Sequence, residues 1–259
     1  MDDLLTFKDV RLCYHTKTNE TVALENLSFS AKSQEFISIV GPSGCGKTTL
    51  LSLVAGLLTP TSGQVLLQGQ PTKGKTSSLV GYMFQRDNLF DWRNVYQNVC
   101  LSLEIQRKKT PENTKRAKEL IKKYGLGDFE KHHPNQLSGG MRQRVALIRT
   151  LATNPELLLL DEPFSAVDFQ TRILVQDDVS AIIRSEKKTA LLVTHDISEA
   201  VAMSTRVLIL TKRPAKIKCD LQLEFDPNLT PFERRSDPKF SIYFNKIWEE
   251  LKSEEKDEP

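Results

Sequence analysis

The sequence lacks a long apolar run, and this absence excludes a bilayer-spanning helix within it. The longest apolar stretches, Leu50 to Leu58 and Leu157 to Leu160, are far shorter than the roughly 20 residues that a membrane span needs. The N-terminus, Met1-Asp2-Asp3, is acidic, whereas a secretory signal begins basic and continues apolar. We therefore expect the chain to stay in the cytoplasm and to reach a membrane only through a partner.

Cysteine is scarce and the net charge is small. Four cysteines, Cys13, Cys45, Cys100 and Cys219, lie far apart without the spacing of metal ligands, so we expect free thiols in a reducing compartment. The net charge of +3 is too small, and the basic residues too scattered, to indicate a nucleic-acid partner. The 259 residues suffice for one large domain or for a core with an inserted subdomain.

Alternating and continuous apolar segments indicate strands along much of the chain. Two alternating segments come first, Leu4 to Tyr14 and Leu24 to Ala31, and the continuous segment Phe36 to Val40 follows them. Further strands are predicted at residues 64–68, 79–84, 157–160, 189–193 and 207–210. Helical segments between these strands, beginning with Thr49 to Gly56, predict an α/β fold whose sheet faces are covered.

The middle and the end of the chain have helical patterns instead. Between about Asn94 and Thr153 there is almost no strand signal, whereas Pro111 to Tyr124 and Ser138 to Thr153 predict helices. Pro238 to Leu251 predicts an amphipathic helix that packs on the core. We divide the chain into an α/β core at 1–89 and 156–220, an inserted helical subdomain at 90–155, and a C-terminal extension at 221–259.

Residues 41–48 read Gly-Pro-Ser-Gly-Cys-Gly-Lys-Thr between a predicted strand and a predicted helix, which is the context of a phosphate-binding P-loop. Glycines let successive backbone N–H groups point at phosphate oxygens, and the helix adds the positive end of its dipole. Lys47 is expected to bring its charge to the β- and γ-phosphates, and Thr48 a hydroxyl ligand for Mg²⁺. The predicted ATP-binding residues here are Gly41, Pro42, Ser43, Gly44, Cys45, Gly46, Lys47, Thr48 and Thr49.

Cys45 has two interpretations. It is either a small filler of the loop or a thiol whose pKa is lowered by Lys47 and by the start of the helix. The second interpretation predicts that alkylation of Cys45 inactivates the protein and that ATP protects it.

Four leucines followed by Asp161 and Glu162 predict a buried strand that ends in carboxylates. Such a strand delivers them to the edge of the sheet where α/β proteins bind ligands. Asp161 is the predicted partner of Mg²⁺, directly or through a water molecule. Glu162 is the predicted general base that orients and polarises the attacking water. Together with the P-loop, this pair indicates an ATPase without fixing its class.

The segment Leu137-Ser138-Gly139-Gly140-Met141-Arg142-Gln143-Arg144 is similar to the signature of ABC ATPases. Gln85, Ser165-Ala166-Val167-Asp168 and Thr194-His195-Asp196 complete the order of motifs in that family, which residues 4 to 220 resemble. The chain is identified on these motifs as a member of the ABC transporter ATP-binding subunits. The resemblance implies an ABC nucleotide-binding domain, an α/β P-loop NTPase with an antiparallel β edge and an inserted helical subdomain.

The same resemblance implies a head-to-tail dimer with a second copy or a homologous subunit. Two ATP molecules would lie between the P-loop of one subunit and the signature of the other. Ser138, Gly139 and Gly140 would face the partner's γ-phosphate, a role that suits an N-capping serine and exposed N–H groups at a helix start. Asp168 would cross the dimer interface and help to align the partner's site.

Three further roles follow from the resemblance. Gln85 would sense Mg²⁺ and the attacking water, and His195 would contact the γ-phosphate. Tyr14 stands where the family has an aromatic residue that stacks on adenine, with an ordinary core or surface tyrosine as the alternative.

Finer resemblance points to importers of the nitrate/sulfonate/taurine type. It lies in residues 84–95, in Asp168-x-x-Thr171-Arg172 and in residues 247–251. The implied partners are separate transmembrane permease subunits and, indirectly, an extracytoplasmic solute-binding protein, with the chain peripheral on the cytoplasmic face of the membrane. Two departures are Ser-Ala-Val-Asp at 165–168, where Gly-Ala-Leu-Asp is commoner, and Ile-Arg-Thr at 148–150, which replaces Ala-Arg-Ala.

The motor does not reveal its cargo, because other subunits select the solute. Related importers carry nitrate, alkanesulfonates, taurine or pyrimidine vitamin precursors. The motor of an exporter and a soluble ABC ATPase outside transport remain alternatives.

The segment from Gln85 to about Val99 is predicted to bind the permease. It places Leu89, Phe90 and Trp92 among polar residues, which is the composition of an interface centre. The alternative is that these side chains pack the helical subdomain against the core.

Overall fold

The computed structural model describes residues 3–15, 19–72, 74–165 and 167–256. Ala166, one residue of the predicted Asp168 motif, lies outside the described residues. The strands are β1 Asp3–His15, β2 Glu20–Lys32, β3 Phe36–Val40, β4 Ser62–Leu67, β5 Gln70–Pro71, β6 Val80–Met83, β7 Leu157–Asp161, β8 Thr189–Val193, β9 Arg206–Leu210 and β10 Ile217–Gln222. The helices are α1 Lys47–Val54, α2 Val95–Ile105, α3 Pro111–Lys123, α4 Gly139–Leu151, α5 Phe169–Ser185, α6 Ile197–Met203, α7 Pro231–Arg234 and α8 Pro238–Lys256.

The strands form two sheets. The larger has the order β10-β9-β3-β8-β7-β6 and is parallel except for the β9–β10 pair. Its strands β3 and β8 are buried along their whole length, which explains their continuous apolar sequences. The smaller sheet, β2-β1-β4-β5, is antiparallel throughout. The predicted α/β fold with an antiparallel edge is therefore confirmed.

Helices α2, α3 and α4 all lie between β6 and β7 in the chain. Residues 84–156, every one of which is described, contain no strand. The three helices pack together and against α5 through a buried cluster that includes Val99, Leu120, Leu147 and Val179. This arrangement accords with the inserted helical block, while the division at 90 and 155 stays a prediction.

The end of the chain packs on the large sheet. Ile247 on α8 is fully buried and joins Val201 of α6 and Leu221 of β10 in one cluster. The apolar stripe of α8 is thus a packing face, as predicted, except that Trp248, which lies at the same helical spacing, is 53% exposed. Strand β10 crosses the position 220 at which we divided the core from the C-terminal extension. Among the described helices, none combines the length and the apolar character that crossing a bilayer requires.

Candidate functional site

The loop between β3 and α1 has the backbone that a phosphate cradle requires. Gly44 and Gly46 have φ angles of 71° and 126°, which L side chains rarely adopt. Helix α1 starts directly after Gly46, and no described side chain caps its first N–H groups. In α2, α4 and α5, by contrast, Asn94, Ser138 and Asp168 fill that position. Uncapped N–H groups at a helix start are suited to bind an anion.

Two cations border this loop. Lys47 is only 7% exposed, and its Nζ donates to the carbonyl oxygens of Gly41 at 2.8 Å and Pro42 at 3.0 Å. Arg213, from the segment between β9 and β10, donates from Nη2 to the carbonyl oxygen of Gly44 at 2.5 Å. Sequence reasoning missed Arg213, because no motif includes it and only the fold brings it to the loop.

The predicted lowering of the Cys45 pKa is wrong. Burial raises the pKa of this thiol, and the nearby charge of Lys47 opposes the rise without cancelling it. Cys45 is 1% exposed, and its Sγ would lie 3.0 Å from a Cβ at Gly41, so the side chain fills space inside the loop. The filler interpretation fits these contacts, and the expectation of a reactive Cys45 is withdrawn.

Limited maleimide treatment is therefore expected to modify Cys219 first. Cys13, Cys45 and Cys100 are buried free thiols, whereas Cys219 on β10 is only half-buried. Because access limits alkylation, the singly labelled protein should keep its ATPase activity. Mass spectrometry of the labelled peptides checks the order, with a Cys219→Ser variant as the control that should take up label far more slowly. Early labelling of Cys45 with loss of activity would contradict this expectation.

Thr48 and Asp161 lie side by side at the end of β7. Thr48 Oγ1 is 3.3 Å from Asp161 Oδ1, and the Tyr82 hydroxyl donates to Asp161 Oδ2 at 3.0 Å. Burial raises the pKa of Asp161, while the hydrogen bonds from Tyr82 and Thr48 oppose that rise. A hydroxyl and a carboxylate beside a phosphate loop are ligand types that Mg²⁺ takes together with phosphate oxygens, so these residues fit that ion.

Glu162 meets two of the predicted catalytic residues. Its carboxylate lies 3.2 Å from Gln85 Nε2 and 3.3 Å from His195 Nδ1. The Glu162 side chain is 25% exposed and that of His195 64%, so water can reach both. The Glu162 backbone N–H donates a hydrogen bond to Val193 O at 2.9 Å, and Glu162 has a left-handed φ of 46°. A positioned and accessible carboxylate is what a general base requires.

The signature residues form the start of a separate helix. Ser138 caps α4 by accepting from the Met141 N–H at 3.3 Å. A Cβ at Gly139 would meet open space, whereas one at Gly140 would approach Val175 Cγ2 to 2.7 Å. Gly139 is therefore open to an approaching ligand, and Gly140 lets α4 pack closely on α5.

The predicted roles of Asp168 at the dimer interface and of Tyr14 in adenine stacking stay predictions, and the surroundings of both residues are compatible with these roles. Asp168 caps α5 by accepting from the Thr171 N–H at 3.0 Å, and hydrogen bonds to that backbone and to the Thr171 side chain lower the pKa of Asp168. Tyr14 is 41% exposed, and its hydroxyl is 3.1 Å from Thr49 Oγ1 beside the start of α1. An exposed ring at that place is available for stacking on a base.

Sequence reasoning also missed a buried acid behind His195. Glu199 on α6 is 4% exposed, and burial raises its pKa to about 7 while a hydrogen bond from Thr194 opposes the rise. Its position four residues after His195 carries no motif that would single it out. The structure thus brings together Thr48 with Asp161, and Glu162 with Gln85 and His195, and adds Tyr82, Arg213 and Glu199.

Comparison with known proteins gives consistent matches. The ABC transporter family matches residues 24–165. YtlC of Bacillus subtilis, an uncharacterised ABC transporter ATP-binding protein, is 46% identical over 94% of both chains. The aliphatic sulfonates import ATP-binding protein SsuB of Bacillus licheniformis is 40% identical over 91% of this chain and 89% of its own. The taurine import ATP-binding protein TauB of Burkholderia pseudomallei is 39% identical over 96% and 97%.

A solved structure matches as well. The dimeric post-hydrolysis state of the ATP-binding cassette MJ0796 bound to ADP and Pi superposes with a TM-score of 0.70 at 31% identity. The match covers 86% of this chain and all of that one.

Proposed function

The chain belongs to the ABC transporter family, and we propose that it is the motor subunit of an importer that couples ATP hydrolysis in a head-to-tail dimer to uptake of a small solute. It is an ATP-binding and ATP-hydrolysing protein of the P-loop class. The observation that carries the proposed site is the meeting of Glu162 with Gln85 and His195 beside the Thr48–Asp161 pair.

In the proposed reaction, the loop N–H groups and Lys47 hold the phosphates of ATP. Thr48, Asp161 and Gln85 would hold Mg²⁺, which when bound neutralises charge on the β- and γ-phosphates. Glu162 accepts a proton from the attacking water. Gln85 and His195 orient that carboxylate, and His195 would also contact the γ-phosphate. Tyr82 holds Asp161 by a hydrogen bond to its Oδ2.

The partner subunit completes the site in this proposal. A γ-phosphate bound on the partner's P-loop would meet the start of α4, where Gly139 leaves open space and Ser138 still has its hydroxyl proton to donate. The dimeric state of MJ0796 with ADP and Pi supports this arrangement, because that cassette shares the fold over its whole length. Asp168 and the exposed Phe169 would lie at the same interface.

Import is supported by the relatives named for sulfonate and taurine uptake. Their identities of 39% and 40% extend over nearly the whole chain. We infer a sulfonate-like or comparably small solute, delivered by a binding protein to separate permease subunits. The chain would then work at the cytoplasmic face of the membrane, held there by the permease.

The loop that follows Gln85 supplies the proposed permease surface. The rings of Phe90 and Trp92 stack with centroids 4.6 Å apart, and Trp92 is 73% exposed. Phe90 also lines a groove of about 330 Å³ together with Phe84 and Ile105. A stacked aromatic pair with one exposed ring, beside an apolar groove, is suited to receive a segment of a partner protein.

Two features correct the expected extent of this surface. Val95, Asn98 and Val99 are buried in α2, so the surface ends near Asn94 and does not reach Val99. Leu89 is half-buried and packs on the core, which leaves the exposed Trp92 and the half-buried Phe90 as the anchors.

The loop is also tied to the signature helix. Arg149 on α4 donates to the carbonyl oxygens of Asn88 at 2.7 Å and Asp87 at 2.6 Å. The buried Asn98 amide donates to the carbonyl oxygens of Phe90 and Arg93 and accepts from the Phe90 N–H. In this proposal, a displacement of Gln85 would reach α4 as well as the Phe90–Trp92 pair.

Trp92→Ala and Phe90→Ala are expected to weaken copurification with the permease and to uncouple transport from hydrolysis. Basal ATPase activity should change little, because neither ring contacts the residues around Glu162 in the proposed site. Trp248→Ala is a matched control, since that exposed indole lies on α8. The free energy of unfolding should change by less than about 1 kcal/mol in the Trp92 variant, as is usual for exposed positions. Loss of several degrees in Tm with intact permease binding would instead identify these rings as core residues.

A further inference from the structure

A buried chain of hydrogen bonds runs from the C-terminal extension to the residue before His195. Arg235, which follows α7, donates from Nη2 to Gln176 Oε1 on α5 at 2.6 Å. Gln176 is 1% exposed, and its Nε2 donates to Glu199 Oε1 on α6 at 3.1 Å. The other carboxylate oxygen of Glu199 accepts a hydrogen bond from the Thr194 hydroxyl. None of the four residues in this series of hydrogen bonds belongs to the P-loop, the signature or the Asp-Glu pair.

The same network fixes the backbone on both sides of His195. Thr194 Oγ1 accepts from the Asp196 N–H at 3.0 Å while its proton is given to Glu199. The Asp196 carboxylate in turn accepts from the Glu199 N–H at 3.2 Å. His195 therefore lies between two residues that are both held through Glu199. A hydrogen-bonded network with a buried centre, as at Gln176 and Glu199, favours one arrangement of the groups it contains.

Arg235 determines which groups donate and which accept in this series of hydrogen bonds. A guanidinium only donates, so it selects the orientation of Gln176 in which the amide oxygen faces Arg235 and the NH₂ faces Glu199. A carboxylate at 199 accepts from both neighbours without rearrangement. A glutamine at 199 could accept the hydrogen bond from Gln176 only if its own NH₂ group faced Thr194. The Thr194 hydroxyl would then have to accept a hydrogen bond from residue 199 instead of donating one to it.

We propose that Glu199 is a positioning residue for ATP hydrolysis and that Arg235, acting through Gln176, holds the His195 segment in place. The proposal rests on the proposed function of His195 at the γ-phosphate. It gives the C-terminal extension a defined effect on the reaction. Any contact that draws Arg235 away from Gln176 slows hydrolysis while the ATP-binding residues stay as they are.

The test compares variants of the full chain in steady-state ATPase assays. Arg235→Ala and Glu199→Gln are expected to lower kcat about tenfold, less than the roughly 10²-fold that a 1 Å misplacement of a reacting group can cost, with the KM for ATP changed less than about twofold. Arg235→Lys, which keeps a donor, should restore most of the loss. Arg184→Ala is the matched control, because Arg184 binds Pro227 O and Leu229 O of the same extension without reaching Gln176.

A double-variant cycle separates this proposal from the function it rests on. In the His195→Ala background, measured in single-turnover assays, Arg235→Ala should cause no further loss if Arg235 acts through His195. Unchanged kcat in His195→Ala itself would overturn the proposed role of His195. A large loss in His195→Ala, together with Arg235→Ala and Glu199→Gln behaving like Arg184→Ala, would overturn the positioning role alone. Losses that multiply fully in the double variant would overturn it too.

Discussion

Glu162→Gln is expected to bind ATP normally and to hydrolyse it about 10²–10⁴-fold more slowly, the range that a positioned base contributes. Glutamine keeps the size of the side chain and its contact with Gln85 or His195, but it has no carboxylate to accept the proton of water. ATP binding should survive because the P-loop, Lys47 and Thr48 are unchanged. Burst-phase and steady-state phosphate release, with binding of a fluorescent ATP analogue, measure the two properties separately.

Glu156→Gln is the matched control for this variant. Glu156 lies directly before β7, at the opposite end of the strand from Glu162, and the hydrogen bonds that anchor it to Leu79 and Thr189 use its backbone. Its activity should equal that of the wild type. Lys47→Ala should lose ATP binding itself, because its ammonium lies across the loop. Wild-type turnover in Glu162→Gln would remove Glu162 from the role of base.

Ser138→Arg is expected to abolish ATP-driven dimerisation, tested in the Glu162→Gln background where hydrolysis no longer reopens the dimer. Ser138 is exposed at the start of α4, and a guanidinium-bearing chain there would fill the space that the proposal reserves for the partner's γ-phosphate. We expect a dimer for Glu162→Gln with ATP and a monomer for the double variant. Light scattering coupled to size-exclusion chromatography, with and without ATP, distinguishes them.

The control for this experiment removes a similar cap elsewhere. Thr110 caps α3 as Ser138 caps α4, and it is also exposed. Thr110→Arg should cost about 0.5–2 kcal/mol of stability, as lost caps do, yet leave dimerisation intact. A Glu162→Gln/Ser138→Arg protein that still dimerises with ATP would contradict the head-to-tail arrangement.

Strong local patterns predicted the architecture well. The continuous apolar strands β3, β7 and β8 and the capped helices α3 and α4 were recognisable, because strand burial, Pro111 and Ser138 leave local marks. Helix α2 was missed as an element, and with it the burial of Val99. Its capping pair, Asn94 with Gln97, is short-range, but the preceding Phe90 and Trp92 gave the whole segment the composition of an exposed interface.

The site residues, too, divide into those that local patterns predicted and those that they did not. Motif residues such as Lys47 and Glu162 occupy contiguous positions, so spacing alone predicted them. Arg213 reaches Gly44 across 169 positions, and Gln176 reaches Glu199 across 23, so no local pattern contains either pair. The prediction of a lowered pKa for Cys45 was wrong for a related reason. Its sequence neighbours suggested a nearby positive charge, whereas burial by residues distant in sequence decides its ionisation.

The backbone of Glu162 sets a limit on how far this protein can be stabilised without losing its chemistry. A non-glycine residue at φ 46° costs about 1–3 kcal/mol, and glycine would adopt the same angle almost freely. Glu162→Gly would relieve that strain, less the roughly 0.5–1 kcal/mol that the freedom of glycine costs in the unfolded chain, but it would discard the carboxylate. Thermostable variants meant for use should be sought away from this residue, because the trade-off between stability and turnover is located at the end of β7.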